Sequence, residues 1–351
     1  MDLNDYQHFS SIDRADMLGH IAGLPDQLAE AWRLGSTLPL PELAPIRNIV
    51  VVGMGGSAIG ADLLGSYLAG FLPVPFIVQR DYDLPAFAMG NETLLVASSH
   101  SGNTEEVLSA FNQGLKNGCQ LIVVCTGGKL EEIARQAGVP VWKFVHTGQP
   151  RTAVGYSFGL LLALLTRIGL IPDPYVELRD AIELMNVLQE KIGPQIPVLK
   201  NPAKRQAGQL YDRHVTIFAS GFMSPVARRW KTQLNEVAKT FASFESIPEA
   251  DHNTLAGISN PACNVDREFA LFIKAGADHP SNQLRMDKTR SIMMLEGVGT
   301  DVFHAKGDTR LAQMWSSILF GDYLAYYLAL AYETDPTPIP PIVALKEEMS
   351  G

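Results

Sequence analysis

The chain has little cysteine, too little positive charge for a nucleic-acid surface, and no run of metal ligands. Its three cysteines, Cys119, Cys125 and Cys263, lack metal-ligand spacing. Cys119 and Cys125 sit in or beside an apolar run and read as core thiols, which fits a reducing, intracellular compartment. The histidines, His8, His20, His100, His146, His214, His252, His279 and His304, form no ligand-spaced cluster, so no metal is expected. Against 37 Asp and Glu stand only 28 Lys and Arg, a net charge of −9. That excludes a general nucleic-acid binder. It leaves a small anionic ligand open, because one local site can oppose the global charge. The start, "MDLNDYQHFSSIDRADM", is acidic and polar and lacks the features of a signal peptide. Residues 314–332 are nearly uncharged, with Asp322 the one formal charge. Asp322, Ser316, Ser317 and the tyrosines suit lipid poorly. A helix buried in the core or in a subunit interface is expected there, not a membrane span. A cytoplasmic protein is expected.

What is present is enough chain for two domains: 351 residues exceed what one core usually fills. Residues 10–34 carry Leu18, Ile21, Leu24 and Leu28 at helical spacing and predict a helical lead-in. A proline-rich connector follows. Apolar runs then recur at 48–52, 75–78, 93–97, 121–125 and 139–144, with helical stretches between them. This alternation predicts a parallel sheet covered on both faces. Prolines at 172, 174, 194, 197 and 202 flank the helical "YVELRDAIELMNVLQEKI". A second α/β series starts with strands at 214–219, 268–273 and 301–305. The expected division is a lead-in at 1–47, a first domain at 48–170, a linker and helix at 171–202, a second domain at 203–335 and a tail at 336–351. The fold class is α/β, two doubly wound parallel-sheet domains in tandem. A faint echo between "VVVGMGGSAIGADLL" and "IFASGFMSPVARRW" suggests duplication.

Two loops of the first half carry chemistry. Gly53, Gly55, Gly56 and Ser57 lie between a strand and a helix, where glycine permits a tight turn and close backbone approach. The helix N-terminus beyond them offers free N–H groups to a phosphate. A turn without ligand fits as well. So does a dinucleotide loop, because Gly53-x-Gly55-x-x-Ala58 satisfies G-x-G-x-x-G/A. Arg80 at the end of the second strand would suit a phosphorylated dinucleotide. The second loop, "SSHSGNTEE" at 98–106, follows the third strand. In a doubly wound sheet it faces the same crevice, so Ser57 would converge with Ser99, Ser101 and Thr104. Hydroxyls and helix N–H groups together are donors for a phosphomonoester, although Ser99 or Ser101 could be a plain helix cap.

"GMGGSAIGAD" with "SSHSGNTEE" resembles the sugar isomerase (SIS) domain, which binds phosphosugars. Over nearly its whole length the chain resembles the bifunctional phosphoglucose/phosphomannose isomerase family, with two tandem SIS domains. His100 departs from the aromatic residue often found there. The resemblance implies an aldose–ketose isomerase acting on glucose, mannose and fructose 6-phosphates. It needs no cofactor, and is distinct from metal-dependent mannose phosphate isomerases. Such a reaction requires ring opening, a base that moves a proton between neighbouring carbons, and stabilisation of an enediolate.

The family's roles carry over residue by residue. Glu236 in "LNEVAK" matches the catalytic glutamate. By helical spacing it lies beside an apolar stripe of Val226, Trp230, Val237 and Phe241. His252 in "ADHNT" matches the ring-opening histidine, and Asp251 before it would raise the imidazole pKa. Arg151 in "QPRTAV" matches the arginine that stabilises the enediolate, a task suited to a permanent cation. Lys346 in "IVALKEEM" matches, more loosely, a lysine tied to ring opening. Thr337 matches a small residue that leaves room for either epimer at C2. Gly55, Gly56, Ser57, Ser99, Ser101, Thr104 and Thr337 are the expected substrate contacts. The family also implies a homodimer whose ring-opening histidine reaches the neighbouring subunit's site. Two other readings stay open: a non-catalytic phosphosugar-binding SIS regulator, which would keep the loops without needing Glu236, His252 and Lys346, and a nicotinamide-dependent enzyme built on the first glycine loop.

Overall fold

A computed structural model describes residues 2–261, 265 and 267–350; Cys263 lies outside them. The chain forms two compact units, a first of Gly23–Glu183 and a second that joins Met1–Ala22 to Leu184–Gly351. The expected lead-in is therefore broken. Helices α1 (Phe9–Ile12) and α2 (Met17–Ala22) belong to the second unit, and α3 (Leu24–Thr37) to the first. The break has a local cause. The Asp13 carboxylate accepts from the amides of Met17 and Leu18 at 2.8 and 2.9 Å, which starts a new helix there. Asp16 before it is left-handed, with φ 55°.

In the first unit, β1 (Asn48–Val52), α4 (Gly55–Leu68), β2 (Phe76–Gln79), β3 (Thr93–Ser99), α5 (Glu105–Lys116), β4 (Gln120–Cys125), α6 (Gly128–Gln136), β5 (Val141–Lys143) and α7 (Val154–Arg167) follow in order. The sheet is parallel, in the order β2-β1-β3-β4-β5. Strand alternation divides its core. Val50, Val52, Leu95, Ala97, Leu121 and Val123 pack on Val107, Ala110, Phe111 and Leu130 of α5 and α6. Helix α7 packs on α3 and α4. Both faces are thus covered, which is why the strands read as continuous apolar runs. The order reverses between β1 and β3, so their carboxyl ends open a crevice at a topological switch point. Burial pushes the Cys125 thiol up to about 11, as suits a core residue.

Helix α8 (Tyr175–Ile192) leads into the second unit. There α9 (Pro202–Leu210), β6 (His214–Ser220), α10 (Ser224–Glu236), β7 (Ala242–Ile247), β8 (Glu268–Lys274), α11 (Pro280–Leu295), β9 (Gly299–His304), α12 (Arg310–Ala331) and α13 (Pro340–Ser350) follow. The sheet is parallel, in the order β7-β6-β8-β9. Strand β7, "ASFESI", escapes the sequence pattern because it is an edge strand, with a half-buried run from Ser243 to Ser246. Residues 336–351 are also more than a tail, since α13 occupies most of them.

The nearly uncharged 314–332 run forms α12 up to its C-cap Tyr332, and residues 311–330 of that helix are all buried. Its one charge is answered. Arg229 of α10 grips Asp322 through two hydrogen bonds of 2.7 and 3.2 Å. Burial pushes the Asp322 carboxyl up, and the guanidinium opposes that shift. No helix of the described residues is long and apolar enough to cross a membrane. Nearby, the buried Lys204 ammonium donates to the carbonyls of Leu3, Pro194 and Ile196 at 2.7, 2.6 and 3.0 Å. Burial pulls it down to about 8, so it keeps its proton at neutral pH and fills all three bonds.

Candidate active site

In the first unit the glycine loop is built by close approach. Gly55 has φ +49°, a left-handed conformation suited to glycine. A Cβ on Gly56 would strike the carbonyl oxygen of Pro150 and stand 3.3 Å from the Arg151 amide. The Gly56 position thus lets α4 seat against the 3-10 turn Pro150–Thr152, which carries Arg151. Arg151 is 3% exposed. Gln27 braces the same turn, its Nε2 donating to the Thr152 carbonyl at 2.7 Å.

The hydroxyl loop, at the end of β3, closes on itself. Ser99 and Thr104 hydroxyls lie 2.9 Å apart, and the Gly102 amide donates to Ser99 Oγ at 3.1 Å. The Asn103 amide donates to Ser101 Oγ at 3.2 Å. Gly102, with φ +66°, has the Gly127 carbonyl oxygen where a Cβ would stand. Thr104 occupies the N-cap of α5, yet its hydroxyl turns to Ser99 rather than to the helix. Among the described residues no side chain caps α4 or α5, so neither Ser99 nor Ser101 is a plain cap, and the first-turn amides remain available to an anion. Ser57 and Ser98 line one small cavity of about 10 Å³ with His100 and Ser157, which ties the two loops together. Ser101 is exposed and Thr104 half-buried.

Sequence reasoning missed a partner here. His100 Nε2 lies 3.0 Å from His146 Nδ1, and His146 Nε2 lies 3.4 Å from Thr152 Oγ1. Burial pushes the His100 imidazole down, towards its neutral form. No local signal pairs residues 46 positions apart. Arg80 is also accounted for, because it pairs with Asp62 of α4 rather than lying free for a 2′-phosphate.

The second unit holds the other candidates, and it separates two of them. Glu236 is the last residue of α10 and half-buried. Helix α10 stops there: Val237 caps it, and Lys239, at φ 56°, donates to the Glu236 carbonyl at 2.9 Å. The expected apolar stripe is therefore one residue too long, and Phe241 is 80% exposed. His252 lies in the 3-10 turn Glu249–His252, after β7, and is exposed. Strand β7 runs between the two, roughly 16 Å of strand at about 3.3 Å per residue. Glu236 and His252 thus lie at opposite ends of the second unit's sheet. Asp251 is held by α11. Its carboxylate accepts from Arg285 Nη1 at 2.9 Å and Thr289 Oγ1 at 2.7 Å, both on α11. Thr337 is half-buried, with its amide on Asp335 at 2.9 Å, and Lys346 is exposed on α13. Among the described residues no group of three or more His, Cys, Asp or Glu is placed to hold a metal.

Comparison with known proteins fits this division. Residues 42–165 match the SIS domain model, and residues 199–349 match the bacterial phospho-glucose isomerase C-terminal SIS domain. The bifunctional phosphoglucose/phosphomannose isomerase of Caldicellulosiruptor bescii is 36% identical across 95% of this chain and 99% of its own length. The chain belongs to the bifunctional phosphoglucose/phosphomannose isomerase family. The Aquifex aeolicus family member is 32% identical over 88% of this chain and 92% of its own. A solved hypothetical protein from Thermus thermophilus shares the fold, with TM-score 0.76 at 17% identity, over 99% of this chain and 95% of that one.

Proposed function

We propose that this family member interconverts glucose 6-phosphate, mannose 6-phosphate and fructose 6-phosphate by an aldose–ketose isomerisation. The observation that carries the reading is the pairing of an uncapped glycine loop with a hydroxyl loop at the β1/β3 switch point. Ser57, Ser99, Ser101, Thr104 and the amides of Gly55 and Gly56 hold the phosphate. The buried Arg151 guanidinium, beside the glycine loop, offsets charge on the enediolate. His252 and Lys346 serve ring opening, the ring oxygen gaining a proton as the C1 or C2 hydroxyl loses one. Glu236 then takes a proton from C2 of the aldose and returns it to C1 while the O2 hydroxyl proton passes to O1, so that C2=O replaces C1=O and the ketose results. Thr337 leaves space for either C2 epimer.

Glu236 and His252 lie too far apart within the second unit for one hexose to touch both. This supports a homodimer in which each His252 serves the neighbouring subunit's site. The deciding assay supplies purified protein with fructose 6-phosphate and reads both aldose products. Formation of both is expected; binding without turnover would instead identify a phosphosugar-binding regulator. Mixing Glu236→Gln with His252→Ala under subunit exchange should restore about a quarter of the wild-type rate. No rescue despite verified exchange would place both residues in a site built by one chain.

A further inference from the structure

A cavity of about 700 Å³ in the second unit shares no lining residue with the sites described above. Its lining includes Asp301, Val302, Phe303 and His304, four consecutive residues of β9. Successive strand side chains point to opposite faces, so a cavity touching all four runs along the strand's edge. That edge is open, because β9 ends the sheet order β7-β6-β8-β9, whereas the first unit's sheet adds a fifth strand beyond β4. Helices α8 and α9 form the opposite wall.

The chemistry of the wall is specific. Lys191, Arg205 and Lys306 line it, and none makes an ion pair among the described residues. Asp301 is its one carboxylate, and both oxygens are taken: Oδ2 by Gln206 Nε2 at 3.1 Å and Oδ1 by the Val302 amide at 2.8 Å. The bond to Asp301 fixes the Gln206 amide, since only its nitrogen can donate to a carboxylate. Gln206 is 6% exposed, and its Oε1 is left buried with no partner. A buried acceptor without a donor is costly, and a ligand hydroxyl would satisfy it. Leu188, Phe303 and Phe320 supply apolar surface.

We infer that this cavity is a second ligand site, for an anionic, hydroxylated metabolite of nucleoside-phosphate size. Phosphate groups meet Lys191, Arg205 and Lys306, a ribose-type hydroxyl donates to Gln206 Oε1, and the ring lies on the apolar wall. The volume falls within the usual range of small-molecule sites, roughly 300–1,000 Å³, and three cations against one engaged carboxylate select a negative charge in a chain that is acidic overall.

Calorimetric titration of the full chain with ATP, in the presence of saturating fructose 6-phosphate, tests this. One ATP per chain should bind. Arg205→Glu, a change at an exposed position, should weaken binding at least about tenfold, as loss of a charge-assisted contact does, while leaving isomerase kcat without ATP unchanged. Gln206→Glu, which opposes Asp301 and the ligand phosphate alike, should also weaken it. Displacement of ATP by fructose 6-phosphate, or equal binding by Arg205→Glu, would assign the nucleotide to the phosphosugar loops and overturn the site. Failure of ATP, AMP and pyrophosphate to bind at millimolar concentration would overturn it too. So would dissociation of a dimer by Arg205→Glu without any nucleotide binding, which would make the cavity an interface between copies.

Discussion

The two units treat the ends of their central strands differently. In the first, β3 runs into Ser98, Ser99, His100 and Ser101, and among the described residues no carboxylate bonds to Ser99, Ser101 or Thr104. In the second, β8, the strand in the corresponding place, runs into Ala275, Gly276, Ala277 and Asp278. The Asp278 carboxylate reaches back to the Ser220 hydroxyl at the end of β6, and it occupies the space where a Cβ on Gly221 would stand. The second unit thus carries its own anion where the first leaves room for one. A phosphate approaching that turn would meet a negative charge and a hydroxyl already engaged. Polar groups of the second unit, Arg229 with Asp322 and Lys204 with three carbonyls, face partners in the interior. Similar sheet topologies therefore end in different turns: a carboxylate engages the loop hydroxyl in the second unit, and none engages Ser99, Ser101 or Thr104 among the described residues of the first.

The largest effect expected from this contrast is on stability. Arg229→Met strands a buried carboxylate and should cost about 3–5 kcal/mol, read by urea denaturation. Next comes Glu236→Gln, which keeps size and hydrogen bonding but removes the base. It should lower kcat by a factor on the order of 10², about 2.7 kcal/mol, with little change in stability. A near-normal turnover would move the base elsewhere. Ser101→Ala and Thr104→Ala should each raise KM by up to about tenfold at unchanged kcat, because phosphate is held equally in ground and transition states. A loss of stability to match Arg229→Met would erase the distinction between the units. The smallest effect is expected from Asp278→Ala, about 1 kcal/mol for the lost hydrogen bond to the buried Ser220 hydroxyl. The same variant should be stabilised by added inorganic phosphate more than the wild type, in thermal melts. An equal phosphate response would show that Asp278 does not fill the turn as an anion.

Short-range pattern was enough for much of this molecule. Apolar runs such as "NIVVV" and "TLLVA", recurring between helical stretches, read as strands buried on both faces, and the glycine and hydroxyl loops were legible as a candidate anion site because backbone freedom and donor type are properties of the residues themselves. The same logic failed where a neighbour decided the outcome. Strand β7 breaks its alternation at Glu245 and Ser246 and pairs through a single neighbour, β6, so its run never looks like a core strand. Phe241 continues a helical stripe on paper, but Lys239 turns left-handed and ends α10 first. Asp251 was legible as a carboxylate beside His252; that Arg285 and Thr289 bind it from another helix was not. Asp322 was legible as the lone charge of an apolar run; that Arg229 answers it was not, nor that His100 meets His146 or that Gln206 keeps an acceptor unfilled. Residue type and spacing specify what a side chain is able to do. Which distant atom it meets depends on packing between segments far apart in the chain, and that is set only when the sheets and their covering helices assemble.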